Sequence, residues 1–398
     1  LGDVYKRQIG RDVKDMKYNN LQHELDQEAT IWSKLENQYY LWGAAGKGTT
    51  FIRRYHNKLS IKAVADRDSN KQGKKLLGVP IISPEELNMP GAKIIICTEA
   101  YQEVSKYLKE LGLRENIDYI DYKRFATIYD WYVEGKVYIN RVDISVTNRC
   151  TLNCEGCNML MSYYCNPQDR KLDEIKRDLD AFFEWVDTVE DMNLLGGEPL
   201  LYPELVEVLQ YIQNNYRDKI VDIYMFTNGM CNLSEELLDI SQKMDVIYDV
   251  SDYTYGLPQL EPRLEKFQET LSQHQISYVR KKMDFWLDFG FETADHSGES
   301  EEQKIAFFHR CGAPFRGLRD RKFYFCHLEA SAIELGEWKE QEGDTFLLEP
   351  YDANKRIELL EFNLGYSKRG YPSICMRCKG CCSETKIGVA VQRKRNGR

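Results

Sequence analysis

The chain has 398 residues, 42% hydrophobic and 29% charged, with a formal net charge of −9. This is the make-up of a soluble globular protein long enough for two or three domains. It argues against a basic nucleic-acid sleeve, and no run reaches the ~18 apolar residues of a membrane span. Residues 1–8 resemble a translated sequencing adapter and are set aside from fold reasoning. Residues 9–36 are polar, with Leu21, Leu25 and Leu35 near helical spacing, and predict one or two lead-in helices.

Gln38–Trp42 reads as a buried strand running into Gly43-Ala-Ala-Gly46-Lys-Gly48 and a helix start at Thr49. A strand, a glycine turn and a helix start form a cradle in which bare N–H groups can approach a phosphate. A second strand, Ser60–Ala65, ends at Asp66, where such folds place the acid that holds a ribose hydroxyl. Further strands are predicted at Gly78–Ile82, Lys93–Cys97 and Asp118–Asp121, with a helix near Tyr101–Leu111. This alternation predicts a doubly wound parallel sheet. Residues 37–125 resemble small Rossmann-like domains attached to sugar-modifying and capsule-type biosynthetic proteins. The resemblance implies a nucleotide or nucleotide-sugar in the cradle. The glycine order is G-x-x-G-x-G rather than G-x-G-x-x-G, so a docking domain with an empty cradle is the alternative. Asp130–Tyr138, rich in aromatic residues, reads as a linker or interdomain seam.

Arg141–Asn148 alternates as a strand and delivers Cys150-Thr-Leu-Asn-Cys154-Glu-Gly-Cys157, a C-x3-C-x2-C loop. Three thiolates at a strand end leave one iron of a [4Fe–4S] cube without a protein ligand, and an open metal position is where chemistry happens. Later strand ends carry Gly196-Gly-Glu-Pro199, Thr227-Asn228 and Ser251-Asp252. A structural zinc site is the bland alternative, but zinc takes four Cys or His ligands, and this segment holds no histidine.

The C-x3-C-x2-C loop and Gly-Gly-Glu-Pro turn together resemble radical S-adenosylmethionine (SAM) enzymes, over roughly residues 140–290 as a partial (β/α)6 barrel. The resemblance implies that Cys150, Cys154 and Cys157 ligate three irons and that the fourth chelates the methionyl end of SAM. Gly196 and Gly197 would let the backbone approach the cofactor's amino group, Glu198 would accept a hydrogen bond from it, and Pro199 would fix the turn. Asn228, Ser251 and Asp252 are candidate ribose or substrate contacts on the strand-end rim. The residue before the third cysteine is often aromatic in this family and packs near adenine; here it is Gly156, so the adenine contact comes from elsewhere, with Asn158 and Met159 as candidates. Cys165 is not expected to be a ligand.

Cys311, Cys326, Cys375, Cys378 and Cys381 form a second group, resembling the twitch form of the SPASM-type auxiliary-cluster domain, here within residues 300–385. It implies a second [4Fe–4S] cluster on Cys311, Cys326, Cys375 and Cys378, with Cys381 a substitute for one of them and Cys382 the weakest candidate. A zinc ribbon is the alternative. The family usually has glycine where Arg321 stands, which leaves the turn before Cys326 open. Residues 386–398 read as a tail, whose basic end Arg393–Arg398 is expected to fray.

The sequence therefore predicts an α/β protein: a Rossmann-like sheet, a radical SAM barrel and a small Cys-rich α+β domain. The expected enzyme cleaves SAM reductively and abstracts hydrogen from a sugar, nucleotide-sugar or polyol, with oxidation through the auxiliary cluster as one outcome and flavodoxin or ferredoxin as electron donor. A peptide-modifying maturase is the alternative within the family; a non-catalytic iron–sulfur or zinc scaffold is the alternative outside it. A nicotinamide-dependent dehydrogenase would explain only the first domain. With no secretory leader evident and thiolate clusters needing a reducing compartment, the expected location is cytoplasmic. No proton donor or base is assigned; Tyr163, Tyr164, Arg316 and Arg319 are merely near ligands in sequence.

Overall fold

The computed structural model describes residues 21–393 except 35, 88–90, 99, 312–314, 368 and 382–384. The adapter-like residues 1–8, residues 9–20 and 35 of the lead-in, and Cys382 thus lie outside the described residues. The chain divides into two compact units, one ending at Tyr138 and the other running on from Ile139.

The first unit has the element order α1 (Leu21–Trp32), β1 (Gln38–Trp42), α2 (Gly46–Tyr55), β2 (Ser60–Ala65), β3 (Lys75–Leu76), β4 (Val79–Ile82), β5 (Lys93–Ile96), α3 (Tyr101–Glu110), β6 (Tyr119–Asp121) and α4 (Tyr122–Glu134). The sheet order is β3-β4-β2-β1-β5-β6, and only the β3–β4 edge is antiparallel. The parallel strands therefore wind outward both ways from β1, leaving a switch point at the carboxyl ends of β1 and β5. Leu41, Val64, Ile94, Ile95 and Ile96 are 0% exposed, as strands covered on both faces require.

The unit is wider than the 37–125 segment. Arg124 holds Glu28 of α1 through two hydrogen bonds, 2.7 and 2.9 Å. Asp130–Tyr138 is not a free linker. Asp121 caps α4 by accepting the Lys123 N–H, and Gly135 closes it in the left-handed region at φ +67°. Phe125, Ile128 and Asp130 of that helix are buried, and Tyr55 donates to Asp130 at 2.9 Å.

The second unit repeats strand and helix: β7 (Tyr138–Ser145, its first residue closing the first unit), α5 (Leu172–Trp185), β8 (Thr188–Leu195), α6 (Leu205–Asn215), β9 (Ile220–Thr227), α7 (Glu235–Lys243), β10 (Ile247–Asp252), α8 (Glu261–Gln273) and β11 (Tyr278–Lys282). Helix α5 buries Ile175, Asp178, Leu179, Phe182 and Phe183, the one-sided stripe of a helix laid on a sheet. Then come β12 (Trp286–Leu287), α9 (Glu301–Cys311), β13 (Gly317–Arg319), β14 (Lys322–Tyr324), α10 (His327–Glu334), β15 (Thr345–Leu347), α11 (Arg356–Asn363) and β16 (Lys386–Ile387).

The order β11-β10-β9-β8-β7-β13-β14-β15 departs from a six-stranded barrel with a separate Cys-rich domain. Five strands, β7 to β11, form the repeat. The sixth place is missing because the short β12 pairs with β16 instead. The Cys-rich region extends the same sheet: β13 bonds parallel to β7, and β14 and β15 add antiparallel strands. The turn before Cys326 forms without glycine. Asp320 and Arg321 take φ +53° and +55°, and the buried Asp178 accepts both their N–H groups at 3.0 and 2.7 Å. Among the described residues no helix is long and apolar enough to cross a membrane.

Candidate functional site

Strand β7 delivers the chain to the cysteine loop, and β8 delivers Gly196–Pro199 beside it. The two segments are joined through their backbones: Gly197 N donates to Thr147 O at 2.8 Å and Glu198 N to Arg149 O at 2.7 Å. The glycines make this possible. A Cβ on Gly196 would sit 2.4 Å from Thr147 O, and one on Gly197 2.2 Å from Arg149 O. Their smallness thus serves the seating of the turn on the cysteine loop.

Cys150, Cys154 and Cys157 line one cavity of about 510 Å³ together with Gly196, Gly197, Asn228 and Ser251. Burial pushes the Cys150 thiol up to about 12 and Cys154 up to about 11, with the neighbouring thiols adding to both. Thiols that resist ionisation on their own become thiolates only against a positive metal centre. The donor set fits a cluster with one open iron. Among the described residues no three His, Cys, Asp or Glu side chains close around one point as a single ion needs.

Glu198 lies outside the cavity wall. Its carboxylate accepts Thr227 Oγ1 at 2.7 Å, Asn228 N at 2.9 Å and Leu200 N at 3.2 Å. Burial outweighs these donors and pushes it up to about 7. In this geometry it ties the β8 turn to the end of β9, and Pro199 opens the short turn that follows. Asn228 lines the cavity; its Nδ2 donates to Thr151 Oγ1 at 2.9 Å and faces Cys150 Sγ at 3.8 Å. Ser251 and Asp252, adjacent on β10, point opposite ways. Ser251 lines the cavity, whereas Asp252 is 0% exposed and spent on Thr254 and Arg280. Asn158 and Met159 also line the cavity, and Cys165 is exposed.

The sequence reading missed the polar set on the interior of β7. Arg141 and His327 line the cavity, and Asp143 beneath them organises both. Asp143 accepts Arg141 Nε and Asn193 Nδ2, each at 2.7 Å, and Arg316 N at 3.1 Å. His327 Nδ1 stands 3.3 Å from its other oxygen. Burial would raise Asp143, but Arg141 and then His327 outweigh it and hold the carboxyl well below its usual range. His327 Nε2 is buried without a hydrogen-bond partner, and Phe315 stacks on the ring at 4.1 Å. The signal was available in part: Arg141 and Asp143 share one face of a strand leading to the cysteines. Their partner is 184 residues away from Asp143, which no local pattern reveals.

The second thiol group gathers cysteines from three segments: the end of α9, the start of α10, and the Ser373–Arg377 turn with the residues just after it. Cys326 feels Cys378 and Cys311; Cys375 feels Cys326, Cys378 and Cys311. Cys381 N donates to Cys311 Sγ at 3.3 Å, so Cys381 belongs to the group. Burial drives Cys326 and Cys375 far above their ordinary range. The buried Arg316 beside them is pulled down to about 10 by burial, against the pull of Cys326, Asp143 and Cys311. Its Nη1 donates to Phe325 O at 3.1 Å, next to Cys326.

In the first unit, the glycine turn is closed by its own acid. Ala44 N donates to Asp66 Oδ2 at 2.8 Å, and Lys71 Nζ reaches the same oxygen at 3.0 Å. Gly46 opens α2, and Gly48 packs on the Gly43 carbonyl. Burial acts to raise Asp66, but the Asp68 and Ala44 N–H groups and Lys71 together lower it.

Residues 144–292 match the radical SAM superfamily. Among curated proteins, the chain is similar to a probable GTP 3',8-cyclase of Methanocaldococcus jannaschii, 28% identical over 152 residues, which is 37% of this chain and 47% of that protein. It is also similar to GTP 3',8-cyclases of Limosilactobacillus fermentum (33% identity; 26% of this chain and 30% of that protein) and Crocosphaera subtropica (28%; 40% and 44%). The chain thus spans about half or less of the length of these relatives. Among solved structures, BtrN in complex with AdoMet and 2-DOIA aligns with TM-score 0.39 and 11% identity, covering 64% of this chain and 98% of that one. SuiB of Streptococcus suis bound to S-adenosylmethionine aligns with TM-score 0.30 and 15% identity, covering 67% and 60%. At such scores these two likenesses carry no argument. The likeness to the radical SAM superfamily is thus carried by residues 144–292, the segment that delivers the cysteine loop and the Gly196–Pro199 turn.

Proposed function

We propose that this protein binds a [4Fe–4S] cluster through Cys150, Cys154 and Cys157 and uses SAM at its open iron to abstract hydrogen from a small molecule. The observation that carries the reading is the meeting of three thiols and the Gly196–Gly197 turn on one cavity of about 510 Å³. When bound, the cluster supplies one electron to SAM, whose C–S cleavage yields the 5′-deoxyadenosyl radical that takes the substrate hydrogen.

The chain's own residues do the rest. Glu198 holds the β8 turn against β9, and Asn228 and Ser251 offer polar contacts along the wall. Phe226, Phe285, Trp286 and Phe315 give the cavity an apolar stretch of wall. Arg141 and His327 Nε2 receive the substrate: Asp143 fixes both, and Nε2 is a buried side-chain atom of the lining residues that lacks a hydrogen-bond partner. This suits a hydroxyl-bearing molecule such as a sugar, nucleotide-sugar or nucleotide; the relatives' names add weight to a nucleotide. Cys311, Cys326, Cys375 and Cys378, with Cys381 as a fifth thiol, would hold a second [4Fe–4S] cluster able to take up an electron. A flavodoxin or ferredoxin would supply the first electron. The first unit is read as a docking unit, since the turn's Ala44 N–H and its acid are spent on each other.

The test is anaerobic reconstitution followed by SAM and a reductant. The expected result is about eight irons per chain, two cubes' worth, and 5′-deoxyadenosine as product. Zinc uptake with no iron, or iron without SAM cleavage, would return the protein to the scaffold reading. Binding of a peptide, but not of sugars or nucleotides, would move the substrate to the maturase class.

A further inference from the structure

Residues 386–393, expected only as part of a tail, strap the cysteine loop. Glu155 N donates to Val391 O, and Arg393 N to Asn153 O, both at 2.7 Å. Asn153 Nδ2 donates to Arg393 O at 2.8 Å. Val389 and Ala390 are buried in one cluster with Cys154, against Tyr253 and Trp286. Ile387, paired with Trp286 across β12–β16, stands over Gly156. Gly156 has φ +69°, and a Cβ there would lie 2.4 Å from Ile387 Cδ1. The glycine that departs from the family pattern is thus the residue that lets the strap lie down.

Gln392 ends this strap against a thiol. Asn153 N donates to Gln392 Oε1 at 2.8 Å, which fixes the amide orientation because a backbone N–H must face an acceptor. Nε2 then donates to Cys154 Sγ at 3.2 Å and to Ala390 O at 2.7 Å. Hydrogen bonds to cluster sulfurs stabilise the more negative, reduced state and so raise the reduction potential.

We infer that the strap Lys386–Arg393 is a working part of the cofactor site, and that Gln392 is a positioning residue that sets the potential of the cluster held by Cys150, Cys154 and Cys157. The inference rests on the proposed cluster at those cysteines. It places a determinant of the reductive step some 240 residues from the cysteine motif, at 238 residues' separation from Cys154 itself.

The test is an EPR-monitored redox titration of the reconstituted full chain, following the cluster signal that changes when SAM is added. Gln392→Ala should keep its iron and shift that midpoint to lower potential. Gln392→Glu, which keeps the length and the acceptor but replaces the donor with an anion, should shift it further. Removing residues 385–398 should speed chelator-driven loss of iron from this site by about tenfold, the scale of second-shell effects on metal affinity. Midpoints equal to wild type in both Gln392 variants, with iron intact, would overturn the inference. If the unmodified protein has no SAM-responsive signal, the proposed cluster itself fails, and that outcome is separate.

Discussion

Cys150, Cys154 and Cys157 line a cavity, whereas Cys311, Cys326, Cys375, Cys378 and Cys381 face one another and line neither that cavity nor the second, of about 390 Å³, that adjoins the cysteine loop. The first group has three donors and space beside them. The second has five donors, enough for every iron of the proposed second cluster. That is the difference between an open metal site and a closed one. The fold produces it by placement: the open group sits on a loop beyond the carboxyl end of a parallel strand, where space is left over. The closed group is drawn together from the end of α9, the start of α10 and the Ser373–Arg377 turn.

The largest effect should come from removing a thiol of either group, with opposite consequences. Cys154→Ala should lower 5′-deoxyadenosine formation by at least about 100-fold, while the second group keeps its iron. Cys375→Ala should lose the second group's iron and keep SAM cleavage. Equal loss of cleavage in both variants would erase the contrast.

Next in size is Asp143, which faces the open cavity through Arg141 and His327. Asp143→Ala leaves Arg141 without its buried anion and should cost about 3–5 kcal/mol, read as a fall in the chemical-denaturation midpoint. His327→Gln should retain iron and stability while weakening binding of whichever nucleotide or sugar the wild type takes up, with SAM affinity unchanged.

Glu198 supplies a pH test. Its folded value of about 7 lies above the ordinary 4.5, so the folded metal-free protein holds a proton that the unfolded chain releases. Its contribution is full below about pH 4.5 and is lost as pH rises through 7, a swing of about 3 kcal/mol. Glu198→Gln should flatten the stability profile of the metal-free protein over that window. A variant profile parallel to wild type would show that the carboxyl is not buried at the turn. The smallest effect belongs to the first unit: Asp66→Ala should change thermal stability by only about 1 kcal/mol and leave SAM cleavage untouched.

Much of this was legible in the residues. Thiol spacing, the Gly-Gly-Glu-Pro turn and the alternating strands carry local signatures, because a loop must wrap its metal within a few residues and a strand must alternate. The strap was not legible. Residues 385–393 carry no helical or strand periodicity in their sequence, and their order comes from the Gln392 amide and from two backbone hydrogen bonds to Asn153 and Glu155 of a distant loop. The non-glycine turn at Asp320–Arg321 was hidden for the same reason, since its stabiliser is Asp178 on another helix. The sixth barrel strand was expected from the family resemblance, yet β12 pairs with β16.

The most direct measurement of the open-versus-closed contrast is the EPR response to SAM in wild type, Cys154→Ala and Cys375→Ala. The account predicts two reduced cluster signals in wild type, of which one changes on adding SAM. That one should vanish in Cys154→Ala and be the sole signal left in Cys375→Ala. A SAM response that survives in Cys154→Ala, or is lost in Cys375→Ala, would contradict it.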